Sequence, residues 1–221
     1  MSKEAKIELS NQRISELLAP FGVELSGRQY DQVREYMRIL LKWNQLVSLT
    51  AIEDPAEIIS RHFGESMFLG SLLPVENGRL ADVGSGAGFP GLALKILYPN
   101  LHTVLIDSNN KKCAFLSELA GALELTGVQI RSSRFEDIPA EVIDASIITA
   151  RAVGGFNSLL KWSSKSLVPR GHLALWVGGE DTTRISATIG WTWQPAIRIP
   201  ESQRRFILIG RPRPIGTAGS D

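Results

Sequence analysis

The residues best suited to chemistry form a glycine-rich loop that reads Asp82-Val-Gly84-Ser-Gly86-Ala-Gly88-Phe89-Pro90-Gly91. A short apolar run precedes the loop and a helical pattern follows it, so we expect the loop to connect the first strand of a sheet to a helix. Glycines let a backbone turn sharply and approach a ligand closely. Because ligands of open α/β sheets bind at the carboxyl ends of the strands, Gly84, Gly86 and Gly88 are predicted to contact a cofactor.

Two cofactors compete for such a loop. The spacing Gly86-x-Gly88-x-x-Gly91 matches the dinucleotide fingerprint, and Asp107 stands near the acidic position expected about twenty residues on. Asp82 favours the other candidate, because a carboxylate repels a pyrophosphate but can pair with the cationic methionine end of S-adenosylmethionine. Asp107, at the end of the second predicted strand, suits the two ribose hydroxyls of that cofactor. A turn or capping role is the alternative for each acid, and we expect S-adenosylmethionine to bind and S-adenosylhomocysteine to be the product.

Hydrophobic periodicity predicts the elements that must position this loop. The first 75 residues show helical spacing, with a capping box at Ser26 and Gln29 and a helix that starts at Asp54. From Gly78 onward short apolar runs alternate with helical stretches, which predicts a parallel sheet covered on both faces. The predicted strands span residues 79–83, 103–107, 128–132, 146–149 and 172–177, followed by an antiparallel pair at 191–199 and 205–210. The predicted helices span residues 90–98, 111–125, 157–166 and 181–189.

The composition bounds the class of protein. We divide the 221 residues into an N-terminal helical region (1–75), an α/β domain (76–211) and a disordered tail (212–221). The net charge of +1 means that a nucleic-acid surface must come from local clusters of basic residues. Cys113 is the only cysteine, which excludes an intrachain disulfide and fits a reducing cytoplasm. The sequence shows neither an apolar run long enough for a membrane span nor a metal-binding cluster, so we expect a cytoplasmic protein without either, and a monomer.

Further segments stand in a distinctive order along the chain. They are Asn44…Leu49-Thr50, Arg61-His62-Phe63-Gly64-Glu65-Ser66, Asp107-Ser108…Lys111-Lys112…Phe115-Leu116, Arg134-Phe135-Glu136 and Ala150-Arg151-Ala152. Together with the glycine loop, this order resembles the RsmG family, also called glucose-inhibited division protein B, whose members methylate a guanine N7 in small-subunit ribosomal RNA. The resemblance runs from about Asn44 to Gly210.

The resemblance implies a fold, an activity and a set of contacts. The fold is a class I S-adenosylmethionine-dependent methyltransferase, with a Rossmann-like seven-stranded sheet, an antiparallel last strand and an N-terminal helical extension. The activity is methyl transfer to guanine N7 in 16S ribosomal RNA, free or within the small ribosomal subunit. The implied cofactor contacts are Gly84, Phe89, Phe135, Glu136 and Arg151. Two positions depart from the family pattern, since Glu65 replaces an aspartate and Val177 replaces a lysine.

The chemistry of guanine N7 sets what the chain must supply. N7 already has a free lone pair, so the transfer needs positioned and desolvated partners and no general base. Arg151 follows the fourth predicted strand and is the residue expected to position substrate and cofactor, with a structural ion pair as the alternative. Cys113 lies within a helical pattern, where a core thiol is the better interpretation than the nucleophile that methylation at C5 of a pyrimidine requires.

Candidate contacts to RNA are less specific. Arg134, Arg204 and Arg205 belong to local basic clusters that can bind phosphate, and a solvated surface is the alternative. His62 is a candidate through the resemblance alone, because a lone histidine on a helix is more often a packed residue. Two other functions compete with an rRNA methyltransferase: a small-molecule methyltransferase with the same loop, and a non-catalytic RNA-binding or assembly protein on this fold. A nicotinamide dehydrogenase is the fourth and weakest candidate.

Overall fold

The computed structural model describes residues 9–151 and 154–213. Ala152 of the Ala150-Arg151-Ala152 segment and most of the predicted disordered tail, residues 214–221, therefore lie outside the described residues. Pro212, which the prediction assigned to that tail, is instead the last residue of the final strand. It is held there because it pairs with Trp191 on the neighbouring strand.

The N-terminal part of the chain is helical, as predicted. Its helices are α1 (Asn11–Leu18), α2 (Gly27–Asn44), α3 (Pro55–Glu57), a π-helix (Ile58–Gly64), α4 (Glu65–Met67) and α5 (Leu69–Leu72). The capping box forms at the start of α2, where the Ser26 backbone N–H donates to the Gln29 side chain at 2.7 Å. The Asp54 carboxylate accepts from the Glu57 N–H and caps α3. Periodicity did not predict that the helix after Asp54 widens into a π-helix, a form that is frequent at functional sites.

The remaining described residues build the sheet and four helices. The strands are β1 (Arg79–Val83), β2 (His102–Asp107), β3 (Val128–Ser132), β4 (Ala145–Arg151), β5 (Leu167–Gly178), β6 (Trp191–Trp193), β7 (Ile197–Arg198) and β8 (Arg205–Pro212). The helices are α6 (Gly91–Leu97), α7 (Asn110–Ala122), α8 (Phe156–Ser166) and α9 (Gly179–Ser186).

The strand order is β3-β2-β1-β4-β5-β8-β6, with β7 also paired to β8. Strands β1 to β5 are parallel and β8 is antiparallel to β5, which confirms the predicted α/β fold class. Eight strands are present rather than seven, because the edge strand predicted at 191–199 is divided into β6 and β7. Pro195 lies in the interruption, where it has no N–H to donate to a ladder.

Each face of the sheet packs against its own layer of helices. Alternate residues of β1 illustrate this, since Leu80 belongs to one buried cluster and Ala81 to the other. The Leu80 cluster contains α6 and α7 together with the N-terminal helices α1 and α2, and the Ala81 cluster contains α8 and α9. The N-terminal helices are thus part of the main core, and they lie against the same face as the helix that follows the glycine loop. None of the helices in the described ranges has the length and apolar character needed to cross a bilayer.

Candidate active site

Asp82 holds the glycine loop from below. The residue is 1% exposed, and its Oδ1 accepts from the Thr149 hydroxyl at 2.8 Å while its Oδ2 accepts from the Gly91 N–H at 3.2 Å. Burial raises the pKa of Asp82 to about 7, because the ionised form loses the solvation of water. Both carboxylate oxygens are therefore used to join β1, β4 and the start of α6, and the contact with a methionine group expected for Asp82 remains a prediction.

Asp107 holds the same loop from the side. Its Oδ2 accepts from the Gly86 N–H at 2.8 Å and its Oδ1 accepts from the Asn109 N–H at 2.8 Å. The helix-capping alternative for Asp107 is not what the structure shows, since the Asn109 side chain caps α7 by accepting from the N–H groups of Lys111 and Lys112. Asp107 is partly exposed at the carboxyl edge of β2, where its carboxylate can also accept from a ligand hydroxyl.

The three loop glycines have left-handed backbones, with φ of 71° at Gly84, 53° at Gly86 and 88° at Gly88. The surroundings of Gly88 are tighter than those of Gly86, because a Cβ at Gly88 would lie 2.4 Å from the Tyr36 hydroxyl oxygen. That hydroxyl donates to the Ala87 carbonyl at 2.6 Å, so α2 fixes the loop backbone directly. Tyr36 was missed from the sequence. Its place on the buried stripe of α2, between Val33 and Leu40, was the available signal for a buried polar group.

Phe89 lies between two other rings. It stacks on Tyr36 with centroids 4.9 Å apart and on His62 with centroids 4.7 Å apart, at interplanar angles of 14° and 17°. Phe89 is only 6% exposed, so this stack joins the loop to α2 and the π-helix, and little of the ring is left for contact with a cofactor.

His62 is a neutral member of that stack. Its Nε2 lies 2.7 Å from the Thr50 hydroxyl, which already accepts from the Ile52 N–H. The hydroxyl proton can then donate to Nε2, and in that tautomer the imidazole proton lies on Nδ1. Burial, together with the positive charges of Arg151 and Arg61, lowers the pKa of His62 to about 3. Among the described residues the buried Nδ1 has no hydrogen-bond partner, so it remains available to a ligand.

The segment after β3 lies at the far side of the same edge. Phe135 begins a short 3₁₀ turn and packs edge-on against Trp162 with centroids 5.6 Å apart. Glu136 is exposed, and its carboxylate lies 3.7 Å from the Arg134 guanidinium. Because Ser132, the last residue of β3, pairs with Asp107, these residues stand beside the second acid of the loop. The contacts of Phe135 and Glu136 with a cofactor remain a prediction.

The other half of the edge is organised by a buried carboxylate between two arginines. The Glu65 side chain is 2% exposed, and its Oε2 lies 3.4 Å from the Arg151 guanidinium. Its Oε1 accepts from Arg205 Nε at 2.9 Å and lies 2.6 Å from a terminal nitrogen of the same guanidinium. Arg151 also donates to the Arg61 carbonyl at 3.0 Å, so the structural ion pair set as the alternative for Arg151 is present, and its role in positioning substrate and cofactor stays a prediction. Burial lowers the pKa of Arg151 and the neighbouring Glu65 raises it.

A cavity of about 470 Å³ opens beside this ion cluster. It lies beyond the carboxyl ends of β4 and β5, next to the glycine loop of β1. Its described lining residues are Glu65, Ala150, Arg151, Gly154, Phe156, Trp176, Val177, Gly178, Asp181 and Arg205. The indole N–H of Trp176 donates to the Glu65 carbonyl at 3.0 Å and so fixes one wall of the cavity. Sequence reasoning did not place Trp176 or Asp181 at the site.

The candidate RNA-binding arginines therefore separate into two kinds. Arg205 is committed to Glu65, whereas Arg204 is exposed, and Arg134 is exposed beside Glu136. Within residues 9–151 and 154–213 no group of three or more His, Cys, Asp or Glu side chains is placed to hold a metal ion.

Sequence comparison finds relatives over most of the chain. A family model described as rRNA small subunit methyltransferase G (GidB) matches residues 29–188. Proteins named ribosomal RNA small subunit methyltransferase G match from Pseudomonas fluorescens (41% identical, 64% of this chain and 65% of the relative) and from Streptococcus pneumoniae (42% identical, 62% and 60%). The match thus spans less than two thirds of the length of those two relatives. The namesake from Chloroflexus aggregans is 37% identical over 78% of this chain and 74% of its own length.

Structural comparison supports the fold. A methyltransferase from Aquifex aeolicus described as SAM dependent superimposes with a TM-score of 0.60 at 17% identity, over 77% of this chain and 97% of its own. TrmN from Thermus thermophilus superimposes with a TM-score of 0.54 at 17% identity, over 70% and 53%. At these identities the likeness carries the fold and nothing finer.

Proposed function

The chain belongs to the rRNA small subunit methyltransferase G family, and we propose that it transfers a methyl group from S-adenosylmethionine to N7 of a guanine in 16S ribosomal RNA. The observation that carries this proposal is the juxtaposition at one sheet edge of an acid-braced glycine loop and an arginine-lined cavity. We further propose that the protein acts as a monomer in the cytoplasm, on free 16S rRNA or on the small ribosomal subunit.

The residues around the loop fit S-adenosylmethionine better than a dinucleotide. A pyrophosphate would meet the carboxylate of Asp107, which is partly exposed beside the loop and accepts from the Gly86 N–H. The ribose hydroxyls of S-adenosylmethionine, in contrast, need an acceptor, and Asp107 is a partly exposed carboxylate at the right edge. In this proposal Gly84, Gly86 and Gly88 supply the close backbone, and Phe135 and Glu136 flank the adenosine.

The site needs to position its two partners rather than to move a proton. When bound, S-adenosylmethionine supplies an electrophilic methyl group, and guanine N7 supplies a free lone pair. His62 fits this requirement because, with a pKa of about 3, it is neutral and adds no positive charge near the sulfonium. Its Nδ1–H is a hydrogen-bond donor without a described partner, and we assign it to the substrate or the methionine group.

The cations of the site fit a nucleic-acid substrate. Arg151 and Arg205 share the single carboxylate of Glu65, so this cluster carries one net positive charge at the cavity wall. Val177, which stands where the family pattern has lysine, also lines that cavity. We propose that Arg205 takes over the role of that lysine, because its backbone pairs with Gly178, the next residue along β5.

A methylation assay tests the proposed function. Small subunits and free 16S rRNA from cells that lack this gene are incubated with the protein and methyl-labelled S-adenosylmethionine, and the RNA is digested and examined for N7-methylguanosine. We expect label in that nucleoside, with the rate of the Arg151→Lys variant lowered by about 10- to 100-fold because lysine cannot donate two parallel hydrogen bonds. The proposal would be contradicted if the label appeared in another nucleoside, or if neither the small subunits nor the free 16S rRNA became labelled.

A further inference from the structure

The cavity beside the ion cluster contains one carboxylate that the cluster does not use. Glu65 faces the two arginines of the cluster, with Oε1 bonded to Arg205 and Oε2 3.4 Å from the Arg151 guanidinium. Asp181, in the first turn of α9, also lines the cavity, and its Oδ1 accepts from Arg184 at 2.6 Å. Its Oδ2 makes no hydrogen bond to any residue within 9–151 or 154–213. The side chain is 38% exposed, so its second oxygen can be reached by a ligand that enters the cavity.

The order of the strands fixes which side of a bound base would face this carboxylate. Along the sheet edge the glycine loop follows β1, Arg151 ends β4, and Asp181 follows β5. A guanine that presents N7 to a methyl donor held over β1 therefore points its opposite side toward the loop after β5. That opposite side is the Watson–Crick edge, which carries the N1–H and N2–H₂ donors.

The chemistry of the walls matches a purine held in this orientation. Trp176 and Phe156 supply aromatic surface, on which a base taken out of its stack can pack. An ionised carboxylate has only acceptors, so it pairs with two adjacent N–H donors of guanine. Adenine presents a lone pair at N1, which a carboxylate repels, and hypoxanthine lacks the N2 amino group.

We propose that the cavity is the nucleobase pocket and that Asp181 selects guanine by accepting from its N1–H and N2–H₂ groups. The inference rests on the proposed methyl transfer to guanine N7 and adds to it a specificity-determining residue. Arg184 holds the Asp181 side chain in place through Oδ1, and its guanidinium is itself held over the Phe156 ring at 5.4 Å from the centroid.

The test compares guanosine with inosine at the methylated position. Small subunits are reconstituted with ligated 16S rRNA that carries either nucleoside at the site where the unmodified enzyme methylates, and single-turnover rates are measured at limiting enzyme. We expect the unmodified enzyme to prefer guanosine by about 10- to 100-fold, the value of one hydrogen bond to a charged acceptor. We expect Asp181→Asn to react more slowly with guanosine and to lose most of this preference, because one donor must now face the amide nitrogen.

Glu180→Gln is the matched control, because it removes a carboxylate from the same turn of α9 at an exposed position that is not among the described lining residues of the cavity. We expect it to keep the preference for guanosine, with melting temperatures of both variants close to that of the unmodified protein. Equal rates on guanosine and inosine by the unmodified enzyme overturn the role of Asp181 while leaving the methyl transfer intact, and so does a loss of preference in Glu180→Gln equal to that in Asp181→Asn. Absence of transfer to either RNA overturns the proposed function itself.

Discussion

The proposed site has two halves along the sheet edge, and they are built in different ways. The cofactor half is the glycine loop with Asp82 and Asp107, and the acceptor half is the cluster of Glu65, Arg151 and Arg205 with its cavity. In the cofactor half, the carboxyl groups bind loop N–H groups close to them in sequence, since Asp82 and Gly91 are 9 positions apart and Gly86 and Asp107 are 21 positions apart. In the acceptor half, 140 residues separate Glu65 from Arg205. The first half uses side-chain carboxylates to hold backbone N–H groups, and the second uses side chains to hold other side chains. A local motif therefore describes the contacts between acids and backbone in the first half, although Thr149 and Tyr36 add distant support, whereas only the folded sheet creates the second.

The halves also differ in charge. One partly exposed carboxylate, that of Asp107, stands at the loop, whereas two guanidinium groups share one carboxylate at the cavity. This asymmetry suits a cationic methyl donor on one side and a polyanionic acceptor on the other. It also makes the acceptor half the more fragile, because its buried charges stabilise the fold only as a complete set.

The largest effect is expected from breaking that set. Glu65→Gln leaves two partly buried arginines without a counter-charge, and we expect a loss of about 3–5 kcal/mol in the free energy of unfolding, measured by urea titration. The matched variant Glu65→Asp keeps the charge but shortens the reach, and it should recover much of the stability. If Glu65→Gln unfolds at the same urea concentration as the unmodified protein, the cluster does not hold the acceptor half together.

Sequence reasoning succeeded and failed along the same division. The bounds of β1 and β3 agree with the prediction. Asp82, Asp107 and the loop glycines were singled out from their neighbours in the chain, and their contacts with a cofactor stay predictions. The partnership of Glu65 with Arg151 and Arg205 was not predicted, although all three had been singled out, since nothing in the linear spacing indicates that these segments meet.

The contribution of the N-terminal helices was missed for the same reason. The periodicity of α2 predicted a buried stripe but not that Tyr36 reaches across to the Ala87 carbonyl. The π-helix was missed because its widened turns leave the hydrophobic spacing close to that of an α-helix. Its consequence is functional, since the π-helix carries His62 onto the face of Phe89 and is followed at once by Glu65.

The second-largest effect tests whether cofactor binding depends on the backbone conformation of the glycine loop. Gly88→Ala forces a side chain into φ of 88° and against the Tyr36 hydroxyl oxygen at 2.4 Å. We expect affinity for S-adenosylmethionine, measured by calorimetry, to fall by about 100-fold, from about 1–3 kcal/mol of backbone strain together with the displaced hydrogen bond.

Gly86→Ala is the control for that experiment. Its backbone is also left-handed, but the nearest atom to an added Cβ is the Gly84 carbonyl oxygen at an ordinary 3.7 Å. We expect a loss of affinity of less than about 10-fold, from about 1 kcal/mol of strain alone. Equal losses in both variants would show that contact with α2 does not shape the loop.

A smaller effect depends on pH and concerns Asp82, the buried carboxyl group that supports the glycine loop. Asp82 keeps its proton in the folded protein up to about pH 7, whereas an unfolded chain releases it near pH 4. Between these values the folded state binds more protons, so stability falls as pH rises, by about 1 kcal/mol per pH unit from this group and about 2 kcal/mol from pH 5 to 7. Asp82→Asn removes the titration, and Thr149 can accept from the new amide. We expect a flatter pH dependence of unfolding for Asp82→Asn, and an unchanged slope would show that Asp82 is ionised throughout.

The smallest effect separates two neighbouring arginines of the acceptor half. Arg204 is exposed and forms no ion pair with any residue in the ranges 9–151 and 154–213, whereas Arg205 is bound to Glu65. If Arg204 contacts RNA phosphate, Arg204→Gln should leave thermal unfolding unchanged, lower affinity for 16S rRNA a few-fold, and reduce the slope of log affinity against log salt by about one. Arg205→Gln should instead lower the unfolding temperature, because it removes one of the two partners of a buried carboxylate. The two variants lose the same formal charge one residue apart, so any difference between them reports burial and not net charge. Identical salt slopes and unfolding temperatures in both variants would mean that the positive field of the acceptor half is a property of its surface alone, and that its ion cluster has no separate structural role.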